Sequence, residues 1–163
     1  MAHPPMVSRS STSIAVVGAG VGGCALVASL RRGGWPGAIS LWESGRGPGG
    51  RTATRRSRND AGLRIDHGAP LFNITGPPPD LLDPLLDTAA IEAWREPRGW
   101  LDASGVLHPG DDRHDPFTAG DLYRGCGGMD RLCAGLLALA EREAGGSVEC
   151  HYGVLIRDLV ATE

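Results

Sequence analysis

Lysine is absent from the 163 residues, and all 16 basic residues are arginines. Without lysine, the chain can form neither a lysine Schiff base nor the lysine contact of a phosphate-binding NTPase loop. A formal net charge of −3 gives no electrostatic reason to expect nucleic acid as a partner. The length is sufficient for one domain, or for part of a larger one.

Long hydrophobic runs and paired cysteines are also missing. No apolar stretch approaches the ~20 residues that cross a bilayer, so we expect no membrane association. Residues 1–13 lack the apolar block of a secretory signal, and we expect them to form a disordered tail. The four cysteines form no Cys-x-x-Cys pair, which indicates reduced, mostly buried thiols. Together these absences favour the cytoplasm or an organelle stroma or matrix and argue against secretion.

A strand–turn–helix–strand unit is the first chemically informative segment. The apolar run 14–17 precedes a Gly-x-Gly-x-x-Gly motif at Gly18, Gly20 and Gly23, and the second strand ends in Glu43. In a dinucleotide-binding unit Gly18 allows the tight turn, Gly20 lets a pyrophosphate approach, and Gly23 lets the helix pack closely. Glu43 is placed to accept hydrogen bonds from an adenosine ribose, and its charge disfavours the 2′-phosphate of NADP. The unit therefore predicts a bound dinucleotide.

A second glycine-rich loop indicates which dinucleotide. Gly49-Gly50-Arg51-Thr52 resembles the Gly-Gly-Arg-(Thr/Ser/Met) loop of the flavin-containing amine oxidase superfamily, at a matching distance from Glu43. Arg51 can pair with phosphate charge, whereas Arg46 stands one position later than the arginine that often follows the glutamate in that superfamily. The alternatives are a solvated basic loop without a ligand and an NAD-binding loop. The resemblance favours non-covalent FAD.

Two further stretches resemble renalase-like proteins, a branch of this superfamily. Residues 65–72 are similar to their Phe-Asp-His-Gly-Ala-Gln-Tyr-Phe stretch, and residues 122–132 to their Tyr-Val-Gly-x-Pro-Gly-Met-x-x-Leu segment. The resemblance implies that Gly68 and Ala69 lie near the flavin end of the cofactor and that the backbone of Val154 meets the adenine ring. Asp66 beside His67 allows acid–base chemistry, but a loop histidine bonded to backbone is the favoured interpretation, and we assign no catalytic residue.

The remaining patterns organise the rest of the chain. We predict a helix capped by Asp83 whose apolar face continues to Trp94, a hairpin around residues 102–105, and a helix over 128–144. Two short strands are predicted at 148–150 and 154–156. His108, Asp111, Asp112, His114 and Asp115 make a metal site conceivable, but a solvated acidic loop is favoured and no metal site is predicted.

The sequence thus predicts an α/β fold with an FAD/NAD(P)-binding Rossmann-like parallel sheet at 14–76. The beginning of an inserted α+β substrate domain follows at 77–121, and residues 122–163 return, incompletely, to the FAD-binding domain. Since renalase-like proteins are considerably longer, the chain looks truncated. The predicted function is an FAD-dependent oxidoreductase that oxidises a small C–N or dihydronicotinamide substrate and passes electrons to oxygen. The alternative is a non-catalytic FAD- or NAD-binding fragment; the oligomeric state is left open.

Overall fold

The computed structural model describes residues 12–60, 62–110, 119–143 and 147–161. These residues form ten strands, three α-helices and a 3₁₀ turn at Gly50–Thr52. In chain order the helices and strands are β1 (Ile14–Val17), α1 (Val21–Arg32), β2 (Ile39–Glu43), β3 (Thr54–Arg56), β4 (Arg64–Asp66), β5 (Phe72–Ile74), α2 (Leu82–Asp87), β6 (Ile91–Ala93), β7 (Gly99–Leu101), β8 (Leu107–Pro109), β9 (Asp121–Gly125), α3 (Asp130–Arg142) and β10 (Val148–Tyr152).

A parallel sheet of order β1-β2-β10 carries the fold, and it confirms the α/β class predicted from the sequence. Ile14 and Val148 both align with Ile39, so the three strands begin at the same level. Alternate side chains of the strands, including Val16 and Leu41, are buried on one face of the sheet. α1 and α3 pack against each other, and their apolar residues join these strand residues in one core.

The opposite face of the parallel sheet is more open. Val17 is 57% exposed there, although it belongs to a strand of otherwise apolar residues. Beside it, Trp42 stacks on His151 with ring centroids 3.8 Å apart. One face of this sheet is therefore packed by helices, and the other carries an aromatic pair and polar groups.

Three antiparallel units complete the described chain. β9 pairs with both β5 and β6, and β3–β4 and β7–β8 form two hairpins. The β7–β8 hairpin confirms the turn predicted around residues 102–105. The β5-β9-β6 sheet joins strands from the three segments predicted at 14–76, 77–121 and 122–163. The domain boundaries at 76 and 121 stay a prediction.

The helix predicted from Asp83 to Trp94 is wrong in two respects. Asp83 lies inside the first turn of α2, whose N-cap is Leu81 without a side-chain hydrogen bond. The helix ends at Asp87, Ala89 has a φ of 50°, and Ile91–Ala93 is strand β6. The apolar spacing fits a helix, but pairing of Ile91 with Gly125 in β9 supplies the backbone hydrogen bonds instead.

The two short strands predicted near the end of the chain are also corrected. A single strand, Val148–Tyr152, pairs with β2 along its full length, with Tyr152 aligned to Glu43. Beyond Gly153, whose φ is 75°, residues 154–156 form no strand. By contrast, the helix predicted over 128–144 is confirmed as α3, with its bounds at Asp130 and Arg142.

Arg31 is the least expected residue of the core. Its position in the last turn of α1, before Gly33, predicts a helix end, and α1 does end at Arg32. However, Arg31 is only 1% exposed. Its Nη1 donates to the carbonyls of Trp35 (2.7 Å) and Gly37 (2.9 Å), and Nη2 donates to that of Ser147 (3.2 Å). The guanidinium thereby joins the end of α1 to the chain entering β2 and β10.

Replacing Arg31 with methionine is expected to lower the free energy of unfolding by about 2–4 kcal/mol, because buried carbonyls lose their donors. The neighbouring Arg32, which is exposed, provides the matched control. Arg32→Met should cost less than about 1 kcal/mol, the size of a helix-terminus charge effect. Urea unfolding of both variants measures the difference, and equal midpoints would show that the three carbonyl contacts do not stabilise the fold.

Within the residues that the structure describes, no helix combines the length and the apolar character that crossing a bilayer requires.

Candidate functional site

Two glycine-rich loops meet beyond the carboxyl end of β1. The first loop follows β1 and leads into α1, and the second contains the 3₁₀ turn at Gly50–Thr52. The N–H of Gly49 donates to the carbonyl of Ala19 at 2.8 Å, and Gly20 and Gly49 form an isolated parallel bridge. The backbone therefore binds the Gly-x-Gly-x-x-Gly turn directly to the Gly-Gly-Arg-Thr segment.

The glycines of the first loop have the geometry that their predicted roles require. Gly18 has a φ of 99°, a conformation that side-chain-bearing residues rarely adopt. A Cβ atom on Gly23 would overlap the carbonyl oxygen of Gly18, so the helix can pack this closely only with glycine there. A Cβ atom on Gly20 would meet nothing within 4 Å. Gly20 thus leaves open space where a ligand can approach the backbone.

A cavity of about 590 Å³ brings six of the predicted cofactor residues together. Its lining is Gly20, Val21, Gly22, Gly49, Gly50, Arg51, Thr52, Gly68 and Ala69. Gly68 packs so closely on the carbonyl of Arg51 that a Cβ atom would overlap its oxygen, and the N–H of Ala69 donates to that oxygen at 2.9 Å. The Gly68–Ala69 segment is therefore bound to the second glycine loop.

A larger cleft of about 890 Å³ lies on the Glu43 side of the loops. Its charged lining residues are Glu43, Arg46, Arg55, Arg56 and Asp130, and Gly50 lines this cleft as well as the smaller cavity. Arg56 forms an ion pair with Asp130 at 2.7 Å. Because Gly50 is common to both, an elongated ligand could extend from Glu43 past the second glycine loop.

Glu43 connects the end of β2 to the loops around it. Its Oε2 accepts a hydrogen bond from the N–H of Ala19 (2.8 Å), and its Oε1 accepts from the N–H of Gly45 (2.6 Å) and the hydroxyl of Ser44 (3.2 Å). The Gly45 N–H has the largest effect in lowering the pKa of Glu43, and partial burial opposes it. The stability from these bonds is present above the unfolded pKa and is lost as the pH falls through the lowered folded pKa.

Val154 lies beside Glu43 but lines neither cavity. Its N–H donates to the carbonyl of Glu43 at 2.9 Å, and the N–H of Gly153 donates to that of Gly45 at 2.7 Å. Residues 153–154 thereby continue alongside the chain that leaves β2. Gly18 and Gly23, which shape the turn from beneath, are likewise absent from the lining of both cavities.

Asp66 anchors α3, a role that sequence reasoning missed. Its Oδ1 accepts hydrogen bonds from the N–H of Met129 (3.0 Å) and from the hydroxyl of Thr54 (2.5 Å). Thr54 in turn accepts from the N–H of Asp130 at 3.1 Å. The sequence does hold one indication of this role. Met129 occupies the N-cap position of α3, where serine, threonine or aspartate is preferred, so the helix needs a capping side chain from elsewhere in the chain. His67, next to Asp66, is exposed and lines the larger cleft.

Of the loop that makes a metal site conceivable, Asp111, Asp112, His114 and Asp115 lie outside the described residues. His108 is described, and its Nε2 lies 2.8 Å from Oδ2 of Asp102 in the β7–β8 hairpin while its ring stacks on Trp100. Across the described ranges, no group of three or more potential metal-ligating side chains is found.

Comparison with known proteins identifies the same region. A family model described as an NAD(P)-binding Rossmann-like domain matches residues 16–87, which contain both glycine loops. No curated protein matches the chain.

Solved structures share the fold. An oxidoreductase from Methanosarcina mazei is similar with a TM-score of 0.57 and 13% identity, over 87% of this chain and 51% of that protein. This chain therefore spans about half the length of that oxidoreductase, and the similarity bears on the fold alone.

Putrescine oxidase is similar at a lower level. A triple mutant from a redesign of its cofactor binding has a TM-score of 0.41 and 24% identity, over 65% of this chain and 23% of that one. The wild-type enzyme bound to putrescine has a TM-score of 0.37 and 23% identity, over 66% and 23%. The parallel sheet and the glycine turn show a Rossmann-like α/β fold, and residues 16–87 match the model of an NAD(P)-binding Rossmann-like domain.

Proposed function

We propose that the chain is an FAD-binding oxidoreductase of the amine-oxidase and renalase-like type. The observation that carries the proposal is the Gly49–Ala19 hydrogen bond, which joins the two glycine-rich loops into one site. An NAD-binding domain needs only the first loop, with its turn and helix N-terminus. A second loop bound to it, with Arg51 at the same cavity, adds phosphate-binding capacity that favours FAD.

The residues present fit the polar half of FAD. Gly20 leaves an open approach to the backbone, and α1 has no acidic residue in its first turn to oppose a phosphate at its N-terminus. Arg51 and Arg46 would contribute charge, Glu43 would accept the ribose hydroxyls, and the backbone of Val154 would meet the adenine.

The other end of the site would hold the flavin. Gly68 and Ala69 line the smaller cavity, and the N–H of Ala69 donates to the carbonyl of Arg51. When bound, FAD would supply the capacity to accept hydride from a small C–N or dihydronicotinamide substrate, with electrons then passing to oxygen. The chain's own residues bind the dinucleotide and orient it. In this proposal 77–121 begins the substrate domain, and the protein works in the cytoplasm or in an organelle stroma or matrix.

A second candidate is a non-catalytic FAD- or NAD-binding fragment. It is favoured by the cavity linings, in which the described residues include no cysteine. Both lining carboxylates already have structural partners: Glu43 accepts from the N–H groups of Ala19 and Gly45, and Asp130 pairs with Arg56.

Purification in the presence of FAD separates these candidates. Retained visible flavin absorbance with turnover of an amine or a dihydronicotinamide supports the enzyme, and retained absorbance without turnover supports the fragment. A colourless protein that binds NAD but not FAD would overturn the flavin assignment. Boiling the protein should release all the flavin into the supernatant, because the proposed binding is non-covalent.

A further inference from the structure

A small buried layer of polar side chains lies beneath the two glycine loops. Cys24 and Cys133 are completely buried, and Thr52 is 7% exposed. The hydroxyl of Thr52 donates to the carbonyl of Gly49 at 2.8 Å. The Sγ of Cys133 lies 3.5 Å from that hydroxyl and 3.9 Å from the Gly49 carbonyl oxygen, and the Sγ of Cys24 donates to the carbonyl of Ala19 at 3.4 Å.

These contacts hold two backbone carbonyls toward the interior. In a trans peptide the C=O and the next N–H point to opposite sides, and no cis peptide occurs in the described residues. With the carbonyls of Ala19 and Gly49 turned inward, the N–H groups of Gly20 and Gly50 are directed outward. Both glycines line the smaller cavity. Two backbone donors therefore converge from different loops on one space, an arrangement suited to an anion.

The peptide between Gly49 and Gly50 needs this support. Gly49 has a φ of 144° and Gly50 a φ of 54°. Glycine populates positive and negative φ about equally, so the residue type alone does not fix these conformations. The Gly49 carbonyl accepts from both the backbone N–H of Thr52 (2.9 Å) and its hydroxyl (2.8 Å). Rotation of the Gly49–Gly50 peptide would break both bonds and turn the Gly50 N–H away from the cavity, so the hydroxyl adds a second bond that opposes this rotation. The hydroxyl of Thr52 is the closest side-chain donor to the Gly49 carbonyl, and the Sγ of Cys133, in α3, lies next to the same carbonyl oxygen.

We infer that Cys24, Thr52 and Cys133 are positioning residues that hold the two glycine loops in their phosphate-binding conformation, an inference that rests on the proposed dinucleotide function. Thr52 then acts through the Gly49 carbonyl and not by touching the cofactor. Cys24 contributes as a thiol donor to the Ala19 carbonyl, and the Sγ of Cys133 contacts the Thr52 hydroxyl, where either atom can be the donor. Hydrogen bonding with Cys133, followed by burial, raises the pKa of Cys24, which keeps it protonated.

Affinities for ADP and adenosine test the inference, because adenosine has no phosphate. Thr52→Val keeps the side-chain shape but removes the donor, and it should weaken ADP about tenfold while changing adenosine less than about twofold. Thr52→Ser restores a hydroxyl and should recover most of the ADP affinity. Cys133→Ala should weaken ADP by a smaller factor, about two- to threefold, since sulfur hydrogen bonds are weak. Cys126→Ala, which alters a cysteine lining neither cavity, should change neither affinity.

The outcomes separate this inference from the proposed function. Wild-type protein that binds neither ADP nor FAD contradicts the proposed function itself. Wild-type binding of ADP, together with an unchanged ADP affinity in Thr52→Val, overturns the positioning role and leaves the proposed function standing. An equal loss of ADP and adenosine would also overturn it, because that result indicates general destabilisation. If Thr52→Val does not fold, the Cys133→Ala and Cys133→Ser pair makes the same comparison.

Discussion

Gly20→Val will abolish dinucleotide retention, with a loss of at least about a hundredfold in affinity for ADP and FAD, while the protein keeps its helix content. Gly20 has a φ of −75° and a ψ of −177°, which valine adopts readily. A Cβ atom there meets nothing within 4 Å, so the protein itself does not oppose the change. The valine side chain would instead occupy the space through which a pyrophosphate must approach. Equilibrium dialysis with both ligands, together with circular dichroism, measures the two effects.

The matched control for this prediction is Gly76→Val. A Cβ atom on Gly76 also meets nothing within 4 Å, and Gly76 lines neither cavity. The control should therefore bind ADP and FAD like the wild type. Unchanged binding by Gly20→Val would show that this turn is not the phosphate site, whatever else the protein binds.

Glu43→Ala is expected to weaken FAD and ADP by about ten- to a hundredfold. Charge-assisted hydrogen bonds to ribose hydroxyls contribute ~1.5–3 kcal/mol each, and the variant loses them. It also loses the acceptor for the Ala19 N–H, which helps to place the first glycine loop. Adenosine affinity should fall as well, since the ribose contact lies in the adenosine half. Calorimetric titration of all three ligands measures this pattern.

Arg51→Ala provides the contrasting pattern in the same titrations. The variant loses the attraction between the Arg51 guanidinium and the phosphates of the ligand. FAD and ADP should therefore bind more weakly, while adenosine binding is almost unchanged. The difference should shrink at high salt, because screening weakens the attraction between exposed charges. If Glu43→Ala leaves all three affinities unchanged, the ribose assignment fails, and with it most of the case for the motif. If Arg51→Ala changes none of them, the alternative of a solvated basic loop is correct.

Local patterns predicted the first half of the parallel unit well. The run 14–17, the glycine turn, α1 and β2 follow one another closely, and each has its own signal in apolar period, turn residues or helix end. The match of residues 16–87 to an NAD(P)-binding Rossmann-like domain covers the same stretch. Sequence reasoning also anticipated that Gly18 and Gly23 would be required by the turn and by close helix packing, as the structure shows.

The secondary structure was predicted incorrectly where pairing with a strand distant in the sequence decides the local conformation. Ala89 to Trp94 has a helix-compatible spacing, yet β6 forms because β9, some thirty residues later, offers a free strand edge. Similarly, β10 extends through His151 and Tyr152 because β2 continues alongside as far as Glu43. Neither partner can be recognised from a window around the residues concerned.

By itself, the sequence determined the chemistry that the site can offer: glycines at a tight turn, a carboxylate at a strand end, arginines in place of lysine, and no paired cysteines. Only the tertiary structure decided how polar groups are matched. It buries Arg31 among three carbonyls, uses Asp66 to cap a helix more than sixty residues away, and places Thr52 and two thiols beneath the loops. The physical reason is that buried donors and acceptors must find partners, and those partners are chosen by packing in space and not by position along the chain.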